Sequence, residues 1–110
     1  MVDAMTTARQ QLRERAKQLL FRLGMWEAKH TGQKWTFQIR IVLDELVFNT
    51  EPALPLMGSP NPAKSEAERA RRRELLQRVT KHFQAQADFD EPLADDIQRL
   101  LQDYADAPIQ

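Results

Sequence analysis

The stretch Trp35–Phe48, WTFQIRIVLDELVF, carries more apolar surface than one face of a helix can bury. At helical spacing, Trp35, Ile39, Val42, Leu43, Leu46 and Val47 form one stripe. Phe37, Ile41 and Phe48 form a second, roughly opposite at about 100° per residue, with Asp44 among them. A helix apolar on two sides asks for burial on two sides. In a chain of 110 residues that means a core on one side and a partner surface on the other. A strand reading competes, because Trp35, Phe37, Ile39, Ile41 and Leu43 alternate with Thr36, Gln38 and Arg40. The chain offers no second convincing strand to satisfy the backbone of the first, and LDELVF has helical spacing. The expectation is a helix over about 33–49. A strand or hairpin around Trp35–Leu43, in an α+β fold, is the alternative.

Working outward, Met5, Ala8, Leu12, Ala16, Leu19, Leu20, Leu23 and Trp26 follow three- and four-residue steps. They predict a first helix starting between Asp3 and Thr7 and reaching at least Leu23, with Thr31-Gly32 as the break after it. Phe21, Met25 and Ala28 lie off that stripe. On the other side, EPALPLMGSPNP holds four of the six prolines and reads as a connection over 50–63. Its Leu54, Leu56 and Met57 are expected to pin it across the bundle. Ser65 and Glu68 read as a capping box that opens a third helix. Only Leu75, Leu76, Val79 and Phe83 give that helix an apolar stripe, so residues 64–73 are expected to project beyond the core as a charged, solvated segment. Asp90 reads as the N-cap of a fourth helix with Pro92 in its first turn and Phe89 stapled onto Ala94. Its stripe is Leu93, Ile97, Leu100, Leu101 and Tyr104. The fold class is therefore all-α: about four helices in one small bundle, 1–110, with a long proline-containing connection between helices 2 and 3, and dimeric.

Composition narrows the function classes. Without cysteine there is no disulfide, thiolate metal site or cysteine nucleophile. The N-terminus has charges threaded through it and no signal-length apolar run, and Trp35–Phe48 is too short and too charged to span a bilayer. The expectation is a soluble, cytoplasmic protein with no membrane partner. The net charge of zero hides a split. Residues 1–87 hold 15 Lys and Arg against 9 Asp and Glu, whereas residues 88–110 hold one Arg against 7 acids. The acidic part is expected to pack near the basic helices, and a basic nucleic-acid surface is the alternative.

No constellation points to chemistry. His30 and His82 are far apart in sequence and have no spaced partner, while zinc takes about four ligands, three of them from protein even in catalytic sites. Asp95-Asp96 and Asp44-Glu45 are adjacent pairs, which point about 100° apart on a helix and do not converge. Ser59 lies in Gly-Ser-Pro, without the setting of a nucleophile elbow. In IRIVLDELVFNT the Glu45/Asn49 spacing resembles the magnesium-facing helix of histidine-kinase-like ATPases. That resemblance covers about a dozen residues, and no Asp-x-Gly-x-Gly box or glycine-rich lid follows it. No catalytic residue, metal or cofactor is expected.

What is left is binding. The surplus apolar side chains Phe21, Met25, Trp35, Phe37, Ile41 and Phe48 are the expected interface with a protein partner or a second copy. The expected function is that of a non-catalytic regulator or adaptor. A small helical anti-activator that sequesters a bacterial transcription regulator has this size and character. The alternative is a nucleic-acid-binding protein using ERARRRELLQR (Glu68–Arg78), with Arg69, Arg71, Arg72, Arg73 and Arg78 as contacts.

Overall fold

Gly32 sets the first reversal of the chain. Its φ of +92° lies in the left-handed region that glycine enters without a steric penalty. It turns α1 (Ala4–Lys29) back into α2 (Thr36–Asn49). Two further helices follow, α3 (Pro62–Ala85) and α4 (Glu91–Asp106). The computed structural model of the chain describes residues 4–50, 62–86 and 88–107. All regular structure among them is helical, which overturns the strand alternative for Trp35–Leu43. The alternation of β-branched and aromatic residues there is outweighed by a stronger pattern. Ile39, Val42, Leu43 and Leu46 are almost wholly buried, and their spacing suits a helix only. The connection over 51–61, with Leu54, Leu56, Met57 and Ser59, lies outside the described residues.

Each helix runs antiparallel to its neighbours, giving an up-down-up-down bundle. Arg9 donates to the Asn49 carbonyl at one end of the α1/α2 pair, and Thr36 donates to the Glu27 carboxylate at the other. On the opposite side of α1, Arg15 pairs with Asp103 and Arg22 with Asp96, one heptad apart on both helices. That ladder places the acidic fourth helix against a basic one, as the charge split suggests. Phe83 stacks on Phe89, and Arg72 reaches Tyr104, along the α3/α4 pair. The long axis of 46 Å is little more than the length of α1, about 39 Å at 1.5 Å per residue.

The core takes one stripe from each helix: Leu12, Ala16, Leu19 and Leu23; Ile39, Val42, Leu43 and Leu46; Leu75, Val79 and Phe83; Leu93, Ile97, Leu100, Leu101 and Tyr104. One end is closed by rings, with Trp26 and Trp35 edge-on to Phe89 at 4.8 and 5.0 Å. Asp90 caps α4 as its sequence predicts, accepting from the Leu93 amide at 3.1 Å.

Two local expectations need correction. α3 begins at Pro62, so Ser65 and Glu68 lie inside the helix and do not cap it. A proline in the first turn lacks only an amide that had no helical partner anyway, so it opens a helix as readily as a capping box does. Nor is the whole of 64–73 a solvated segment. Arg72 is 8% exposed, with its guanidinium 4.0 Å over the Tyr104 ring. A guanidinium is planar and weakly hydrated on its faces, so it packs on an aromatic ring where a stripe count by residue type expects a solvated charge.

Candidate functional site

α1 and α2 lie side by side and share the core on one side. Their opposite sides form a common outer face. Relative to the α2-facing positions Leu20, Gly24 and Glu27, residues Phe21 and Met25 are rotated away from the core by about 100° or more. On α2, Phe37, Ile41, Asp44 and Phe48 are rotated the same way relative to Arg40, which is ion-paired with Glu27 across the seam. Because the helices are antiparallel, both rotations bring these side chains to one surface. Level with one another along the seam are Met25 and Phe37, then Phe21 and Ile41, with Phe48 about two turns further on.

These five are the large hydrophobic side chains left in water among the described residues: Phe21 71%, Met25 50%, Phe37 59%, Ile41 43% and Phe48 75% exposed. Single exposed hydrophobes are ordinary. A group of three phenylalanines, a methionine and an isoleucine on one face is not. Trp35 differs from them. Its ring meets those of Trp26, Phe83 and Phe89, so it is placed with the core at the aromatic end and not with the outer face.

Charges frame the face, and composition alone gave no reason to look for them. On α1 the same line of residues reads Glu14, Lys17, Phe21, Met25, Lys29. On α2 it reads Phe37, Ile41, Asp44, Phe48, and Lys34 lies in the loop just before that helix. All ten are exposed. Lys29 and Lys34 therefore lie at one end; Glu14 lies at the other, level with Phe48, and Asp44 lies on the same half, one turn from Ile41 and level with Lys17. Lys17 lies 3.9 Å from Glu14. The periodicity that identifies the hydrophobes also finds these positions once the two helices are known to be antiparallel neighbours.

The arginines of α3 are placed differently. Arg72 donates through Nη1 to the Tyr104 carbonyl at 2.9 Å and through Nε to Glu68 at 3.2 Å. It is held within the bundle and buried, with little surface to offer a nucleic acid. Arg69 donates to the Ala105 carbonyl at 2.7 Å, so it caps the end of α4. Arg71 bridges to Glu45 on α2 and to Glu74, and the Glu45 carboxylate raises its already high pKa. Arg78 pairs with Glu74 at 2.8 Å. Arg73 is exposed. The five do not converge on one surface.

The remaining polar groups form a network that closes the second end of the bundle. Arg72 and Glu68 of α3, Tyr104 of α4, Asn49 of α2 and Arg9 of α1 are linked in sequence. Asn49 donates to the Tyr104 hydroxyl at 3.1 Å, and Arg9 donates to the Asn49 carbonyl at 2.7 Å. Burial pushes the Tyr104 phenol above its ordinary pKa, against the opposing pull of Asn49 and of the Arg72 charge. Glu45 and Asn49 are thus both occupied by protein partners. His30 lies flat on Trp26 at 4.1 Å, with Nδ1 2.9 Å from the Trp26 carbonyl. Among the described residues no group of three or more His, Asp and Glu side chains is placed to hold a metal ion. A surface trough bounded by Gln10, Gln11, Glu14, Arg15 and Gln18 is built from α1 alone, so no second element converges on it. No helix among the described residues is long and apolar enough to cross a membrane.

No protein-family model matches the chain, and neither a curated protein nor a solved structure is significantly similar to it. The functional reading therefore comes from its own residues.

Proposed function

We propose that this chain is a non-catalytic binding protein that acts by docking the outer face of α1 and α2 onto another protein surface. One observation carries the reading: five large apolar side chains stand exposed together on a face the core does not use. Each phenylalanine offers wide contact area with few rotors to freeze, which is why aromatics dominate interface energetics. Occupying a partner's surface is the mode of action of a small regulator or adaptor, and sequestration of a transcription regulator is one form of it.

The test is capture of partners by the immobilised full chain and by F37D/I41D, with identification by mass spectrometry. Both side chains are substantially exposed, so the double variant should keep the urea midpoint of the parent while losing the proteins it retains. Loss of folding in F37D/I41D would place the second stripe in the core and end this reading. The arginine-rich α3 gives weaker support for a nucleic-acid interface, because four of its five arginines are engaged within the bundle. Steeply salt-dependent retention on heparin or duplex DNA, reduced by R71A/R73A and untouched by F37D/I41D, would favour that alternative.

A further inference from the structure

The outer face has a charge pattern that selects its partner. We propose that the occupant is a second copy of this chain, docked about a two-fold axis that lies in the plane of the α1/α2 face and crosses the helices at right angles; this rests on the reading of that face as a docking surface. The apolar centre, Phe21 and Ile41, is flanked by lysines at one end (Lys29, Lys34) and has its carboxylates on the other half (Glu14 at the end, Asp44 one turn from Ile41), all exposed. A two-fold axis through the centre turns the face end for end. It lays Glu14 of one copy over Lys29 of its partner, brings Asp44 to about one turn short of the partner's Lys34, within reach of a lysine side chain, and repeats the match at the other end, as an isologous interface requires. An axis lying along the helices instead sets lysine on lysine and carboxylate on carboxylate. The charges therefore reject the parallel arrangement and accept the antiparallel one. Lys17 lies on the acidic half, 3.9 Å from Glu14, and leaves that half with one carboxylate in excess against the two lysines of the other.

The area fits the same occupant. At roughly 200 Å² per aromatic side chain, the three phenylalanines leave about 400 Å² in water, and Met25 and Ile41 bring the apolar face to about 550 Å². That is the upper end of what monomers expose, roughly 300–600 Å². With its charged rim the face approaches the about 800 Å² that each partner contributes to a standard interface. The spacing on α2 from Phe37 through Ile41 and Asp44 to Phe48 alternates four and three residues. This is the seam spacing by which helices pack in antiparallel bundles. Two α1/α2 hairpins so joined make a second four-helix layer, with Phe37, Ile41 and Phe21 at its centre.

The experiment is sedimentation of the full chain over roughly 1 to 200 µM, a range that brackets micromolar self-association, with two charge variants, E14K/D44K and K29E/K34E. The wild type is expected at twice 12.8 kDa. Each charge variant alone should associate at least tenfold more weakly, and an equimolar mixture of the two should recover association to within about threefold of wild type, since every contact is again of opposite sign. F37D/I41D should stay monomeric, with helix content and urea midpoint unchanged. A wild type that remains at 12.8 kDa throughout overturns the proposal. So does a mixture that associates no better than its components. The two failures separate on the capture assay. If a monomeric wild type retains a set of proteins that F37D/I41D loses, the second copy is wrong and the docking face stands. If F37D/I41D retains the same set, both are wrong.

Discussion

Arg72→Ala separates a structural role for the arginine-rich helix from a functional one. In the folded chain Arg72 donates to the Tyr104 carbonyl at 2.9 Å and to Glu68 at 3.2 Å, and it lies 4.0 Å over the Tyr104 ring. A hydrogen bond involving a charged group contributes about 1.5–3 kcal/mol, and a largely desolvated cation–π contact about 1–2 kcal/mol. The Glu68 bond is discounted, because that carboxylate keeps a third of its surface in water and can turn outward when released. The Tyr104 carbonyl and the ring contact remain, for a net loss of about 3 kcal/mol. Unfolding entropy of about 2.1 cal/mol/K per residue over 110 residues converts this to a fall in Tm of about 13 °C. Far-UV circular dichroism during heating reads the helices, and the fluorescence of Trp26 and Trp35 reads the far end of the bundle, so coincident curves establish a two-state comparison. Arg73→Ala, one residue away and exposed, should change stability by no more than about 0.5 kcal/mol. An Arg72→Ala protein as stable as Arg73→Ala would refute the account of the α3/α4 contact.

Three further outcomes follow from the same geometry. Tyr104 has a pKa raised above 10.0 in the fold, chiefly by burial. Above pH 10 the unfolded chain therefore releases a proton that the folded one keeps, and stability falls through the window between the two pKa values. Alkaline denaturation should be shallower in Tyr104→Phe than in the parent, measured against it so that lysine titration cancels; parallel curves would contradict the burial argument. Asp90→Ala removes the acceptor for the Leu93 amide and should cost about 1 kcal/mol, about 4 °C in Tm, with Asp90→Asn largely restoring it. The Arg22–Asp96 pair joins side chains 41% and 44% exposed, so a double-mutant cycle should give a coupling below about 1 kcal/mol that about 1 M salt abolishes. A larger, salt-resistant coupling would mean that the α1/α4 ladder is more desolvated than its exposure implies.

Much of the fold is legible in residue spacing. Leu12, Ala16, Leu19 and Leu23, and likewise Leu93, Ile97, Leu100, Leu101 and Tyr104, fall on single faces and are all buried. The N-cap at Asp90 was equally readable, because capping depends on two residues three apart. What spacing cannot supply is the neighbour. Arg72 looks like a solvated charge until Tyr104, 32 positions later, is known to lie beneath it. The two stripes of α2 are visible at once, but which faces the core depends on where α1 and α3 pack. α2 is one wall of a four-membered ring, and its second stripe looks outward.

The chain carries two surpluses, and the bundle treats them in opposite ways. Lys and Arg exceed Asp and Glu by six in residues 1–87, which on composition alone is the stronger functional signal. Folding absorbs much of that excess. Arg15 and Arg22 take partners on α4, Arg71 finds Glu45, and Arg69 and Arg72 cap the end of α4. A cation held by its own fold has less to offer a phosphate, because binding must first break a contact already made. The apolar surplus is not absorbed. Phe21, Phe37 and Phe48 stay exposed although both ends of the bundle are already closed, one by aromatic rings and the other by the Arg72–Tyr104 network. Burying them adds nothing to the core, and at about 25 cal/mol per Å² their exposure leaves a large driving force unspent. A buried core mutation and an outer-face mutation should therefore part company. Leu43→Ala should cost about 2–5 kcal/mol of stability and leave association per folded molecule intact, whereas Phe37→Asp should do the reverse.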